Sequence, residues 1–294
     1  MTRQTFFKLM ALMPFTSVAM KLRDLENITN TFNPSDKMPV IFFGHGNPMN
    51  AIEENEFTQG FSTAIEGITK PTAILCISAH WETKGTHITS NIHPKTIHDF
   101  GGFPKALFDV QYPAPGHQAL ASEIKSMITK PIIELDDTWG LDHGAWSLIK
   151  HLYPKADVPV LEMSIDYTQP AQYHYDLAKQ LQRLRYKGVL IIGSGNMVHN
   201  LGMVAWDKFN TPNYAFDWAL EASTKMKQWI LEDNHKELIQ FKNQGKVFDL
   251  AIPTPEHYLP LIYSLALKED DETVTLFNDK AVAGSLTMTS VKIS

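Results

Sequence analysis

The chain has 294 residues, 44% of them apolar and 20% charged, and a net charge of −6 at neutral pH. This is the balance of a water-soluble globular protein, and it excludes a basic nucleic-acid surface, since the longest basic cluster, Arg183-Leu184-Arg185-Tyr186-Lys187, reads as a solvated helix end. The single cysteine, Cys76, lies in the apolar run AILCISAH, so an internal disulfide is excluded and a buried small hydrophobe is expected.

The first element is MTRQTFFKLMALMPFTSVAM, a basic start with a short apolar stretch. It resembles a twin-arginine export signal, but Gln4 stands where the second arginine would be. Lys8 and Pro14 interrupt the apolar run, which is too short and broken to span a membrane. We expect an amphipathic helix whose Phe6, Phe7, Leu9, Leu12 and Met13 pack on the body, and a cytoplasmic location, with periplasmic export as the alternative. NITNTFNPSDK, residues 27–37, is polar and reads as a linker. Residues 1–37 are therefore an extension and linker, and residues 38–294 one domain.

From Met38 onward apolar runs of strand length alternate with helical stretches. PVIFFG, TAILCISAH, VPVLEMSID and GVLIIGSGN are rich in Val and Ile and read as strands buried on both faces. HQALASEIKSMIT, GAWSLIKHLY and PAQYHYDLAKQLQRLRYKG read as helices, the last stopped by Gly188. Residues 213–243 read as helical and largely solvated, and VAGSLTMTSVKIS as a closing strand. The order predicts an α/β domain with a mostly parallel central sheet and helices on both faces.

Four of the 12 histidines fall in a pattern. His45 follows PVIFFG, His80 ends TAILCISAH, and His199 follows VLIIGSGNMV. His257 sits in PTPEHYLP, where Pro255 suits a helix start. Ligand sites of open α/β sheets lie beyond the carboxyl ends of the strands, so these residues can converge. Taken singly, each reads equally as a capping histidine. Imidazole is the commonest protein ligand of transition metals, and Gly46 beside His45 is expected to leave room for an ion and a substrate.

The segments GHGNPMN, ISAHWETKGTHIT, TIHDFGGFPKALFDVQYPAPG, WGLDHGAWSLIKHLYPKADVPVLEMSID, GSGNMVHNL and PTPEHYLPLIY carry a resemblance across residues 38–294. The sequence resembles the class III extradiol ring-cleavage dioxygenases of the LigB superfamily, within it the 4,5-DOPA extradiol dioxygenase group that includes the bacterial YgiD-type proteins. The resemblance implies that His45, His80 and His257 are metal ligands. It implies that His199 is the acid/base residue, in some zinc-bound members also at the metal, and that His143 is a second active-site histidine facing substrate and oxygen. Many extradiol enzymes use two histidines and a carboxylate; Glu256 adjoins His257, and the resemblance favours His257. Phe100, Phe103 and Tyr112 are expected to wall an aromatic substrate, with His98 a weaker candidate. His87, His93, His117, His151, His174 and His235 read as surface or structural.

The implied reaction opens a catechol such as DOPA with O2, giving a semialdehyde, with Fe(II) for activity and Zn(II) in purified protein. The expected partners are the small catechol and O2, with no nucleic acid and no membrane. Two alternatives stand beside it: a zinc hydrolase, since bound zinc lowers the pKa of water to ~7, and a non-catalytic metal-binding relative.

Overall fold

The computed structural model describes residues 37–294, so the expected packing of Phe6, Phe7, Leu9, Leu12 and Met13 lies outside the described residues. The strands are β1 Val40–Gly44, β2 Ala73–Thr83, β3 Thr86–Thr89, β4 Ile133–Asp136, β5 Val160–Asp166, β6 Val189–Gly195, β7 Val274–Phe277, β8 Ala281–Val282, β9 Leu286–Thr287 and β10 Ser290–Ile293. Eight of them form one sheet in the order β4-β3-β5-β2-β6-β1-β10-β7, while β8 and β9 pair separately. The central strands β5, β2, β6 and β1 are parallel. Antiparallel pairing appears towards both edges, at β3 with β5 and at β10 with β1 and β7. The expected α/β architecture with a mostly parallel centre is the one observed.

The apolar runs lack alternation because both faces of the sheet are covered. Val40 and Phe42 of β1 enter one core and Ile41 and Phe43 the other; in β6, Ile191 and Ile192 divide in the same way. Burying each such side chain stabilises the fold by ~1.5–3 kcal/mol. The principal helices are α1 Glu56–Ala64, α2 Gln118–Met127, α3 His143–Leu152, α4 Ala171–Lys179, α5 Asp217–Leu231 and α6 Leu259–Ala266. Helices α2, α4, α5 and α6 cover the first face, and α1 and α3 the second. Cys76 is buried in the second core, as its sequence context implied.

Three expectations are corrected. The stretch 170–188 is two pieces, α4 and a single turn Gln182–Arg185, before Gly188 at φ 77° ends it. Within 213–243, α5 buries Ala219, Ala222, Met226 and Ile230 at helical spacing, so one face is core rather than solvent. The chain then breaks at Asp233, φ 55°. VAGSLTMTSVKIS is not one strand: Ala283 and Gly284 take φ 50° and 86°, which turns β8 back into β9, and only β10 enters the sheet.

Candidate metal centre

His45 leaves β1 directly, and its N–H donates to the Gly195 carbonyl at 3.0 Å, continuing the β1–β6 pairing. The glycines around it serve packing. A Cβ at Gly44 would lie 2.5 Å from the Met288 carbonyl oxygen, and one at Gly46, φ 66°, would lie 2.4 Å from Met288 Sδ. Met288 thus fills the place a side chain would take at Gly46, while Gly46 itself lines the cavity described below.

Beyond the strand ends the imidazoles converge. His45 Nε2 and His80 Nε2 are 3.3 Å apart, and the His257 ring centroid lies 5.3 Å from that of His45 and 5.0 Å from that of His80. One ligand atom from each of the three falls within 4.8 Å of the others. Two nitrogens at ~2.1 Å from one tetrahedral ion are themselves about 3.4 Å apart, so this spacing suits a shared ion.

The groups behind the rings set their tautomers. Ser194 Oγ donates to the Gly144 carbonyl at 2.6 Å, which leaves it free to accept the His45 Nδ1 proton at 2.9 Å. His257 Nδ1 donates to Glu256 Oε1 at 3.1 Å, and Thr254 Oγ1 holds the same oxygen at 2.9 Å. A proton on Nδ1 leaves the Nε2 lone pair for a metal. Glu256 therefore stands behind His257, an arrangement that favours His257 as the ligand.

Burial, followed by the neighbouring imidazoles, holds His45 and His257 well below the ordinary histidine pKa. Burial likewise lowers His80 to about 3, aided by His143 and opposed by Asp99, and His199 to about 4, opposed by Glu256. The four rings are neutral near pH 7, the form that ligates metals. The donor set of neutral imidazoles fits a first-row divalent ion.

His199 is half-buried and stacks on His257, with centroids 3.6 Å apart and ring planes 11° apart. It is joined to the body through its N–H to the Ala251 carbonyl at 2.9 Å. His143 opens α3, 3.8 Å from the His80 ring and 5.9 Å from that of His45.

Asp99 escaped the sequence reading. One carboxylate oxygen accepts the His143 N–H and the other its Nδ1 proton, both at 2.8 Å, and the second lies 3.6 Å from His80 Nδ1. Burial pushes the Asp99 carboxyl up, but the His143 hydrogen bonds and charge outweigh it and leave the group below its ordinary value. The available signal was a carboxylate placed inside the aromatic run HDFGGFP. Gly144 also escaped it: a Cβ there would sit 2.5 Å from Ser78 Oγ and 2.8 Å from His80 Cδ2, so glycine lets α3 begin against the ring.

A cavity of about 510 Å³ opens beside His199, lined also by Gly46, Phe103, Asn196, Trp206 and Met288 among others; of the site histidines, His199 alone lines it. Phe103 is among its lining residues, and Phe100 stands 5.5 Å from both Phe103 and His143. Tyr112 is a correction. It is 2% exposed in the second core, and its hydroxyl donates to the Tyr153 carbonyl at 2.8 Å, so core packing consumes its ring. His98 is drawn into the loop, Nε2 pairing with the Val110 carbonyl at 3.0 Å and the ring packing on Trp146. His117 caps α2, and His174 is a buried histidine bonded to the Tyr263 hydroxyl at 3.1 Å, both structural as read from sequence.

Fold and site together define a class: an α/β protein with a histidine-built centre able to hold one metal ion beside an open cavity. Residues 40–290 match the family model of the catalytic LigB subunit of aromatic ring-opening dioxygenase, and the chain belongs to that family. Among its relatives, a 4,5-DOPA dioxygenase extradiol of Escherichia coli K12 is 39% identical over 264 residues, 88% of this chain and 96% of that protein. One from Mirabilis jalapa is 33% identical over 232 residues, 77% of this chain and 85% of that protein. The crystal structure of an uncharacterized protein from Escherichia coli K12 superposes with a TM-score of 0.75 at 35% identity, covering 87% of this chain and all of that one, 100%. The expected enzyme class, a metal-dependent extradiol aromatic ring-opening dioxygenase, stands on these likenesses; the hydrolase and non-catalytic alternatives are not favoured.

Proposed function

We propose that this protein opens the ring of a small catechol such as DOPA, using Fe(II) held by His45, His80 and His257. The observation that carries the reading is the spacing of those imidazoles, 3.3 Å between the Nε2 atoms of His45 and His80, with Nδ1 partners that turn the lone pairs of His45 and His257 inward. Fe(II) bound there would supply the electron transfer between catecholate and O2 that redox-silent zinc cannot.

The chain's own residues do the rest. His199, neutral and on the cavity wall, takes the proton of a catechol hydroxyl and later returns it to the opened product. Asp99 holds the Nδ1 proton of His143, so Nε2 is the atom His143 leaves for substrate. Phe103 walls the ring, with Phe100 behind it. With DOPA the product is a seco-acid that closes to betalamic acid.

Residues 38–294 act as the catalytic domain and residues 1–37 as an extension outside it. A cytoplasmic location is part of the reading, supported by the lone unpaired Cys76 and the interrupted apolar run at Lys8 and Pro14. No helix among the described residues is long and apolar enough to cross a membrane.

The test is anaerobic reconstitution with Fe(II), then O2 uptake and semialdehyde absorbance on adding DOPA. Uptake with Fe(II) and none with Zn(II) is expected. A fully iron-loaded protein that consumes no O2 with any catechol would overturn the reading.

A further inference from the structure

Two carboxyl groups lie buried behind the start of α3. Glu162, in the apolar strand β5, and Asp142, at the cap of α3, are both 0% exposed. Glu162 Oε1 accepts the Asp142 N–H at 2.9 Å, and Oε2 accepts the Trp139 indole N–H at 3.3 Å. Asp142 Oδ1 accepts the Ser78 hydroxyl and the Ala145 N–H, while Oδ2 is buried with no donor among the described residues. None of the groups that bond the pair is Lys or Arg.

Two adjacent buried carboxylates without a counter-ion cannot both hold a charge. The Glu162 and Asp142 side chains are in hydrogen-bond contact, and two carboxyl groups bond one another only when one of them carries a proton. Asp142 Oδ2 is the oxygen left to receive it. Burial, then the Asp142 charge, push the Glu162 carboxyl well above the usual carboxylate range, which makes Glu162 the group that keeps the proton. An O–H there can still accept the Trp139 indole, which stacks on Trp81, the neighbour of His80, with ring planes 4° apart. The backbone at the head of α3 is thereby held twice: Glu162 takes the Asp142 N–H, and Asp99 takes that of His143.

We propose that Glu162 is a positioning residue for His143: as a neutral carboxylic acid it donates its O–H to Asp142 Oδ2 and accepts the Asp142 N–H, which fixes the residue before His143 and leaves the pair a single negative charge. The inference rests on the ring-opening reading for the task of His143, and on the buried pair alone for the bond.

Zinc-loaded protein supplies readouts that need no turnover. At about pH 8, far above the ordinary carboxyl range, its infrared spectrum should contain the carbonyl band of a protonated carboxyl, and Glu162→Gln should remove that band. The amide keeps a donor for Asp142 Oδ2 and an acceptor for the Asp142 N–H, and gives up only the long bond from Trp139. Glu162→Gln should therefore leave the nitrogen resonances of the His143 ring in place, and kcat of the Fe(II) enzyme within about threefold of wild type. Glu162→Leu offers neither bond; it should shift those resonances and lower kcat by roughly 10–100-fold with KM nearly unchanged. Asp142→Asn reverses the donor, its amide facing an ionised Glu162, and should be tolerated alone. Combined with Glu162→Gln it sets two amide donors against each other and should cost about as much as Glu162→Leu, far more than the two single changes together. Three results overturn the inference: no band that Glu162→Gln removes, a Glu162→Leu protein with the His143 resonances and kcat of Glu162→Gln, or an additive double variant. Should Glu162→Leu not fold, the band and the double variant decide. Iron-loaded protein that opens no catechol defeats the ring-opening reading only, since band and resonances are read without turnover.

Discussion

Each ring of the proposed ligand set has a polar partner beside its Nδ1: Ser194 for His45, Glu256 for His257 and, at 3.6 Å, Asp99 for His80, the same carboxylate that holds His143. This division yields separable mutant behaviour. His45→Ala and His257→Ala should each abolish stoichiometric metal, read by elemental analysis after anaerobic loading. His199→Ala should keep most metal yet lose turnover by about 10²–10⁴-fold. Metal loss in His199→Ala matching that of His45→Ala would make His199 a fourth ligand and pass the acid/base role to His143. Asp99→Asn keeps an acceptor for the His143 N–H but offers an amide to Nδ1, which reverses the ring's tautomer. We expect a fall of roughly 10–100-fold in kcat with metal content and melting temperature near wild type. Full activity in Asp99→Asn would remove Asp99 from the mechanism.

At the scale of elements, the site depends on how closely the start of α3 approaches the end of β2. Asp142 caps α3 by accepting the Ala145 N–H at 3.1 Å and also accepts the Ser78 hydroxyl at 2.6 Å, tying the helix start to the strand that carries His80. Gly144 supplies the missing volume between them. Gly144→Ala must push α3 outward or displace the His80 ring, because the contacts at 2.5 and 2.8 Å cannot both relax in place. A loss of about 1–3 kcal/mol in unfolding free energy is expected, together with weakened metal binding in a chelator competition. Unchanged metal affinity in Gly144→Ala would show that the helix start is not what positions His80. Elsewhere a glycine-to-alanine change in a helix would be expected to stabilise, so the sign of the effect is itself informative.

Over the whole molecule, neutral buried histidines make stability depend on pH. His174, away from the site, is lowered by burial to about 4, with Asp166 pulling the other way. Unfolded histidine titrates near 6.5. Between pH 6.5 and about 4 the unfolded chain therefore binds more protons than the folded one, and stability falls as the pH falls through that window. Above pH 6.5 both states are neutral and this contribution is flat. Urea midpoints of the metal-free protein should drop from pH 7.5 to 4.5, and His174→Leu should flatten part of that slope while losing the bond to the Tyr263 hydroxyl. A slope identical to that of wild type would show that His174 takes no part in it.

What the sequence determined by itself were features written in short contiguous stretches. PVIFFG, AILCIS and VLIIG declare strands covered on both faces, because continuous apolar runs of that length have no solvated side to show. The histidines that follow them, His45, His80 and His199, are directed to one rim by the sheet's direction, whereas His257 follows no strand and entered the expected ligand set through the family resemblance. Tertiary structure decided whatever depends on contacts between distant segments. Asp99 meets His143 44 residues away, and the Gly44 N–H meets Ser290 Oγ across 246 residues. Tyr112 and Phe103 are both aromatic residues of one loop, yet one fills the core and the other the cavity wall. Aromatic character states only that a ring will be covered, and the fold chooses by what. In the same way the glycines of GHG show in sequence only that side chains are missing, and the fold decides that Met288 packs where two of them would stand, because a missing side chain marks a close approach without naming what approaches.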